Sequence, residues 1–154
     1  MRRMMIEKLF PQPVTNNYTG HTLAKWVFAA LTLITIGRSL VHMFAADGGA
    51  QSIASIALDT FSQGGANTVI TVFGLWGLSQ LIIGLLYVIV LWRYQSLIPL
   101  MYAFFSFEYF MRLLAFLYTP GLAKLETAPG EIGNIIFLPL GLVMLWLLLR
   151  AHQA

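Results

Sequence analysis

The sequence predicts an all-α fold, an integral membrane four-helix bundle, and three observations carry that expectation. The chain is 58% hydrophobic and only 10% charged, with a mean hydropathy of +0.77, whereas about a quarter of the residues in a soluble domain are charged. Four apolar segments are each long enough to cross a hydrocarbon core of about 30 Å, which takes roughly 20 helical residues. The basic residues gather on one side of those segments. Helices are the expected spanning form, because every backbone polar group in lipid needs a partner within the protein, and the segments lack the alternation of barrel strands. One transmembrane domain over 1–154 is expected, with no polar stretch long enough to form a separate soluble domain.

The elements follow in order. Met1, Met4, Met5, Leu9 and Phe10 share one helical face, flanked by Arg2, Arg3 and Lys8, and Pro11 and Pro13 end the run. That pattern predicts a short basic amphipathic helix lying on an anionic leaflet. The spans are expected at about 23–46, 68–91, 97–118 and 132–149. Between the first two, Ile53, Ile56, Ala57 and Phe61 fall along one face, predicting a second short helix over 50–61 on the outer surface or capping the bundle. Gly74, Gly77 and Gly84 share a face of the second span, and small residues let membrane helices approach closely. Pro99 belongs to the first turn of the third span, where proline is tolerated, with Ser96 as its candidate cap. Pro139 is expected to kink the fourth. The first apolar run carries Arg38 and is too long for a signal-peptide core, so no cleaved leader is expected.

Charge sets the expected orientation. Leaving out Arg38 and Arg112, the N-terminal tail, the second loop and the C-terminus hold Arg2, Arg3, Lys8, Lys25, Arg93 and Arg150. The first and third loops hold Lys124 against Asp47, Asp59, Glu126 and Glu131. The positive-inside rule then places both termini in the cytoplasm, with Trp26, Trp92, Tyr94 and Trp146 near that interface. The net charge of +3 is explained by these membrane-edge residues, so no nucleic-acid partner is expected. The partners expected are the bilayer and a membrane protein or second copy of the chain.

Four ionisable residues fall within the spans: Arg38, His42, Glu108 and Arg112. A charge at membrane depth is costly and is usually paired or functional. At about 1.5 Å per residue, Arg38, Gln80 and Glu108 lie roughly 18–20 Å from the cytoplasmic side, with His42 and Arg112 one turn further out. Arg38 and His42 are four apart, as are Glu108 and Arg112, so each pair shares a helix face. The simplest arrangement sets Glu108 between the two arginines, with Gln80 or Tyr109 adding hydrogen bonds. One acid against two permanently charged arginines leaves an excess of about one positive charge. That excess suits an anionic headgroup, a carboxylate or a polarised carbonyl such as a quinone oxygen; alternatively, Asp59 folds back to neutralise it. His42 is expected near the mouth, able to bind or pass a proton. The ligand-binding candidates are therefore Arg38, His42, Gln80, Glu108, Tyr109 and Arg112. The competing reading is that the Arg–Glu pair only holds helices in register. The third span is ringed by Tyr102, Phe104, Phe105, Phe107, Tyr109, Phe110, Phe116 and Tyr118, either as packing or as a bed for a flat apolar ligand.

Other chemistry is excluded or left without support. With no cysteine, there are no disulfides and no thiol chemistry. His42 is the single histidine at membrane depth, so a bis-histidine haem is not expected, and no metal or phosphate-loop motif occurs. No residue is assigned a catalytic role, and any cofactor is unidentified, with a quinone as the candidate. The sequon at Asn17 falls on the expected cytoplasmic side, away from glycosylation.

Ile36-Gly37-Arg38 and Gly74-Leu75-Trp76-Gly77, set in four short-looped spans, resemble the DoxX-like group of small bacterial membrane proteins. The resemblance implies a bacterial inner-membrane location and association with quinone-linked oxidoreductase complexes. Two functions are thus expected as alternatives: a protein binding an amphipathic ligand or serving a quinone-linked complex, and a non-catalytic structural or assembly subunit. Transport, a third, would need a continuous wet path.

Overall fold

A computed structural model describes residues 2–118 and 128–150. Five α-helices occur among them: α1 (Arg2–Leu9), α2 (Thr22–Phe44), α3 (Gln63–Arg93), α4 (Ile98–Tyr118) and α5 (Pro129–Arg150). No strand occurs among the described residues. The last four are long and apolar enough to cross a membrane. Lys124, Glu126 and His152, and the side chains of Met1, Arg2, Arg3, Met4, Phe116 and Tyr118, lie outside what is described.

Local chemistry sets the helix ends. His21 accepts the Leu23 N–H at 3.2 Å to open α2, and Ser62 accepts the Gly65 N–H at 3.2 Å to open α3, each satisfying a donor the helix cannot pair itself. That cap starts α3 five residues before the expected 68, in a stretch too polar to show in hydropathy. At 31 residues, α3 is about 46 Å long and exceeds one bilayer core. A 3-10 turn over Gln95–Leu97 joins α3 to α4. Ser96 is not the cap of α4: its Oγ accepts the Thr15 N–H at 3.0 Å, and its own N–H donates to the Thr15 carbonyl at 3.2 Å. Pro129 opens α5, where a missing N–H costs nothing, and Pro139 sits inside that helix.

The helices pack chiefly as two antiparallel hairpins, α2 with α3 and α4 with α5. Gly77 permits the first contact. A Cβ there would lie 2.7 Å from His42 Cβ and 2.9 Å from the Ser39 carbonyl oxygen. Gly84 meets Ile36 in the same way one contact along, at 2.8 Å. Phe28, Tyr87, Ile98, Tyr102 and Leu148 form the centre of a close-packed apolar core at the end of the bundle that carries the termini. There Tyr102 donates its hydroxyl to the Ala24 carbonyl at 2.7 Å. At the same end, Lys8 of α1 donates to the carbonyls of Leu148 and Leu149 at 3.4 and 3.0 Å, closing the C-terminus of α5 with a cation as the helix dipole favours.

Large apolar side chains face outward from the bundle: Leu33 is 72% exposed, Ile135 66% and Trp92 74%. An inside-out distribution of this kind is expected where the surrounding solvent is apolar.

The first loop departs from expectation. The span 50–61 is not an α-helix but a series of turns followed by a 3-10 helix over Leu58–Thr60. Ser55, at φ 55°, ends the single helical turn, because a left-handed residue cannot continue a right-handed helix. Ahead of it, Asp47 takes up the backbone donors of Gly49, Gln51 and Ser52 at 2.9, 3.2 and 2.7 Å, the competition that makes aspartate a turn former. The loop folds inward over the bundle, burying Ala50, Ser55, Ala57 and Leu58.

Candidate functional site

Antiparallel pairing of α2 and α3 brings their polar residues together in two tiers. In the first, Arg38 donates from Nε to Gln80 Oε1 at 3.0 Å and from Nη1 to the Tyr109 hydroxyl at 3.1 Å, tying α2 to both α3 and α4. In the second, one turn towards the loop end, His42 lies against Trp76 with ring centroids 4.7 Å apart. The Arg112 guanidinium sits 4.7 Å from the same indole ring, within cation–π range. Tyr109 joins the tiers, since Arg112 also lies 5.4 Å from its ring.

The acid is placed differently from the simplest expectation. Glu108 does not sit between the arginines; it accepts from Nε and Nη2 of Arg112 on its own helix. An i, i+4 pair is satisfied by helix geometry alone, while Arg38 finds its partners on neighbouring helices. Asp59 does not fold back either. It is exposed and accepts from Gln51 at 2.9 Å. A second acid, Glu131 in the first turn of α5, lines the same cavity as Arg38 and Arg112. By formal count, the wall and the residue paired to it hold two arginines and two glutamates, where an excess of one positive charge was expected.

His42 is 2% exposed and lies beneath the first loop rather than at an open mouth. Its Nδ1 is 2.8 Å from the Gly48 carbonyl oxygen, an acceptor, so the neutral ring carries its hydrogen on Nδ1 and leaves Nε2 as an acceptor. Gly49, at φ 72°, makes this contact possible: a Cβ there would lie 2.9 Å from His42 Nδ1. Outside the cavity wall, the Asp47 carboxyl anchors the loop. Burial raises its pKa, but the N–H groups of Ser52 and Gly49 outweigh burial and hold it below the ordinary value.

A cavity of about 260 Å³ opens between α2, α3, α4, the start of α5 and the loop. Arg38, His42, Arg112, Glu131 and Asn134 supply its polar groups, and Ile53, Ile56, Phe73 and Trp76 much of its apolar wall. Of the six residues expected to form a site, Arg38, His42 and Arg112 line the cavity. Gln80, Glu108 and Tyr109 stand behind it and hold the arginines. Trp76, Glu131 and Asn134 were not expected. Trp76 lies four residues before Gln80 and so shares its helix face, a signal present in the sequence. Asn134 is a single amide in an apolar run. Glu131 looks like an outer-loop charge until α5 is seen to begin at Pro129. A second cavity, of about 230 Å³, lies between the N-terminal segment and the ends of α4 and α5. It contains none of the buried polar atoms that lack a partner.

No family model, curated protein or solved structure shows significant similarity to the chain.

Proposed function

We propose that this chain is an integral membrane protein whose cavity at the loop end holds the polar head of an amphipathic ligand. The observation that carries the reading is the cavity itself, where two guanidiniums, an imidazole, a carboxylate and an amide converge in a largely apolar wall. Few polar groups converging in an apolar recess are the usual pattern of a small-molecule site. At about 260 Å³, the space is slightly below the range of about 300–1,000 Å³ for complete ligand pockets. It therefore suits a head group whose tail leaves the bundle. Arg38 and Arg112 hold an oxygen of that head, and the residues behind them fix the guanidiniums.

The charge distribution supports placing both termini in the cytoplasm, in a bacterial inner membrane if the DoxX-like resemblance holds. Both stretches that carry the resemblance contribute to the wall, through Arg38 and Trp76. This supports a quinone as one candidate ligand and a quinone-linked membrane complex as the setting. The competing role, a structural or assembly subunit, is favoured by one observation: Arg38 ties three helices with bonds satisfied inside the chain.

Purification in mild detergent followed by mass spectrometry of retained lipids, quinones and proteins tests the two. The binding reading expects a retained amphiphile that is depleted roughly 10- to 100-fold in Arg38→Ala and Arg112→Ala, the effect of losing a charge-assisted hydrogen bond. Folded variants that retain it in full would overturn the reading. The structural role predicts that Glu108→Gln lowers stability or complex recovery with the amphiphile unchanged.

A further inference from the structure

The chemistry of the head group follows from two features of the cavity wall, given that the wall binds a ligand at all. The first is charge. Arg112 is paired with Glu108, and a second carboxylate, Glu131, lines the wall with Arg38 and Arg112, so the formal charges in and behind the wall cancel. A carboxylate or phosphate entering this cavity would bring an unbalanced negative charge into a low-dielectric recess, where charges are expensive. An uncharged head carries no such penalty, and the guanidiniums have donors to spare for its oxygen. Each has five N–H groups, of which Gln80 and Tyr109 take two from Arg38 and Glu108 takes two from Arg112.

The second feature is an orphan acceptor. His42 lines the cavity and is 2% exposed, yet its Nε2 has no hydrogen-bond partner. The Gly48 carbonyl takes the Nδ1 hydrogen, so Nε2 presents a lone pair. Buried polar groups are nearly always paired, and an exception calls for an explanation. Trp76 and Phe73 flank the ring at 4.7 and 5.6 Å and offer no acceptor-seeking group besides the indole N–H.

We propose that the cavity binds an uncharged, hydroxyl-bearing head group, whose hydroxyl donates to His42 Nε2 while a second oxygen accepts from the guanidiniums. Phenolic and glycerol-type heads on an alkyl tail share this chemistry. Arg38 and Arg112 select an oxygen acceptor, His42 selects a donor, and Glu108 with Glu131 exclude anions.

The test is calorimetric titration of the full chain in zwitterionic nanodiscs with four probes: 4-decylphenol, its methyl ether, monodecanoylglycerol and decanoate. Saturable binding of the phenol or the glycerol ester is expected, with the phenol roughly tenfold tighter than its ether, about one buried hydrogen bond. The better of the two hydroxyl probes identifies the source. In His42→Asn, the amide N–H retains the Gly48 bond and the Nε2 acceptor is lost, so the preference for phenol over ether should vanish. In the wild type, the 15N resonance of Nε2 should move upfield as the phenol is added, a readout that does not depend on the variant folding. Equal affinity for phenol and ether, tightest binding of decanoate, or an unmoved Nε2 resonance would each overturn the proposal. If binding shows no hydroxyl preference but still needs Arg38, the cavity reading survives without it. If no probe binds saturably, both fall.

Discussion

Asp47 shows how a single side chain can decide the shape of a loop. Its carboxylate accepts three backbone N–H groups, and those bonds hold the loop in the form that places the Gly48 carbonyl on His42. Its pKa in the folded chain is depressed, so the stabilisation is present above the ordinary carboxyl value of 3.8 and is lost as pH falls through the lower folded value. The amide resonances of Gly49 and Ser52 should therefore hold steady from neutral pH to below 3.8 and shift together beyond it. A transition above 3.8 would show that these bonds do not favour the charged form. At this scale the sequence was only partly informative. The spacing of Arg38 with His42 and of Glu108 with Arg112 placed each pair on one face, since helical periodicity is local. Which partner each arginine took depended on neighbouring helices. Glu108 was within reach of Arg112 along its own helix, so Arg38 bonded Gln80 and Tyr109 instead.

At the scale of elements, the contact between α2 and α3 rests on the absence of side chains. Gly77 faces the backbone of Ser39 at 2.9 Å as measured from a Cβ it does not have, and a backbone atom cannot step aside as a flexible side chain can. Gly77→Leu should push the helices apart and cost about 1–3 kcal/mol or more, the usual penalty of overpacking. Gly37→Leu, at a glycine with nothing within 4 Å, should leave stability nearly unchanged. Steric-trapping measurements of the two variants would settle the comparison, and equal losses would refute the close-approach account. The glycine face was legible beforehand because three glycines shared one helical face. The first-loop helix was misjudged for the opposite reason. Ile53, Ile56, Ala57 and Phe61 have helical spacing, but a left-handed Ser55 and the donors captured by Asp47 broke the run, and neither shows in hydrophobic periodicity.

For the whole molecule, the outward-facing apolar surface and the one-sided basic residues predict a fixed topology. Because the chain has no cysteine, single cysteines can be introduced against a silent background. In sealed inside-out vesicles, an impermeant maleimide should label Glu7→Cys and Tyr94→Cys and spare Gln63→Cys. Right-side-out vesicles should give the reverse. Labelling of all three from one side would eliminate the proposed topology.

The sequence by itself determined the helical class, with four helices long and apolar enough to cross a membrane, and the relative levels of the polar residues along them. Both follow from local quantities: apolar length sets the number of spans, and 1.5 Å per residue sets the level of each charge. Arg38 met Gln80, and His42 and Arg112 met the same Trp76 ring, for that reason. Only the tertiary structure decided what closed over them. The inward fold of the first loop and the start of α5 at Pro129 brought Glu131 and Asn134 into the cavity wall and left Asp59 outside it. They changed a net-positive cluster into a balanced one, because charge balance depends on which distant segments come together, and periodicity along one helix carries no record of that.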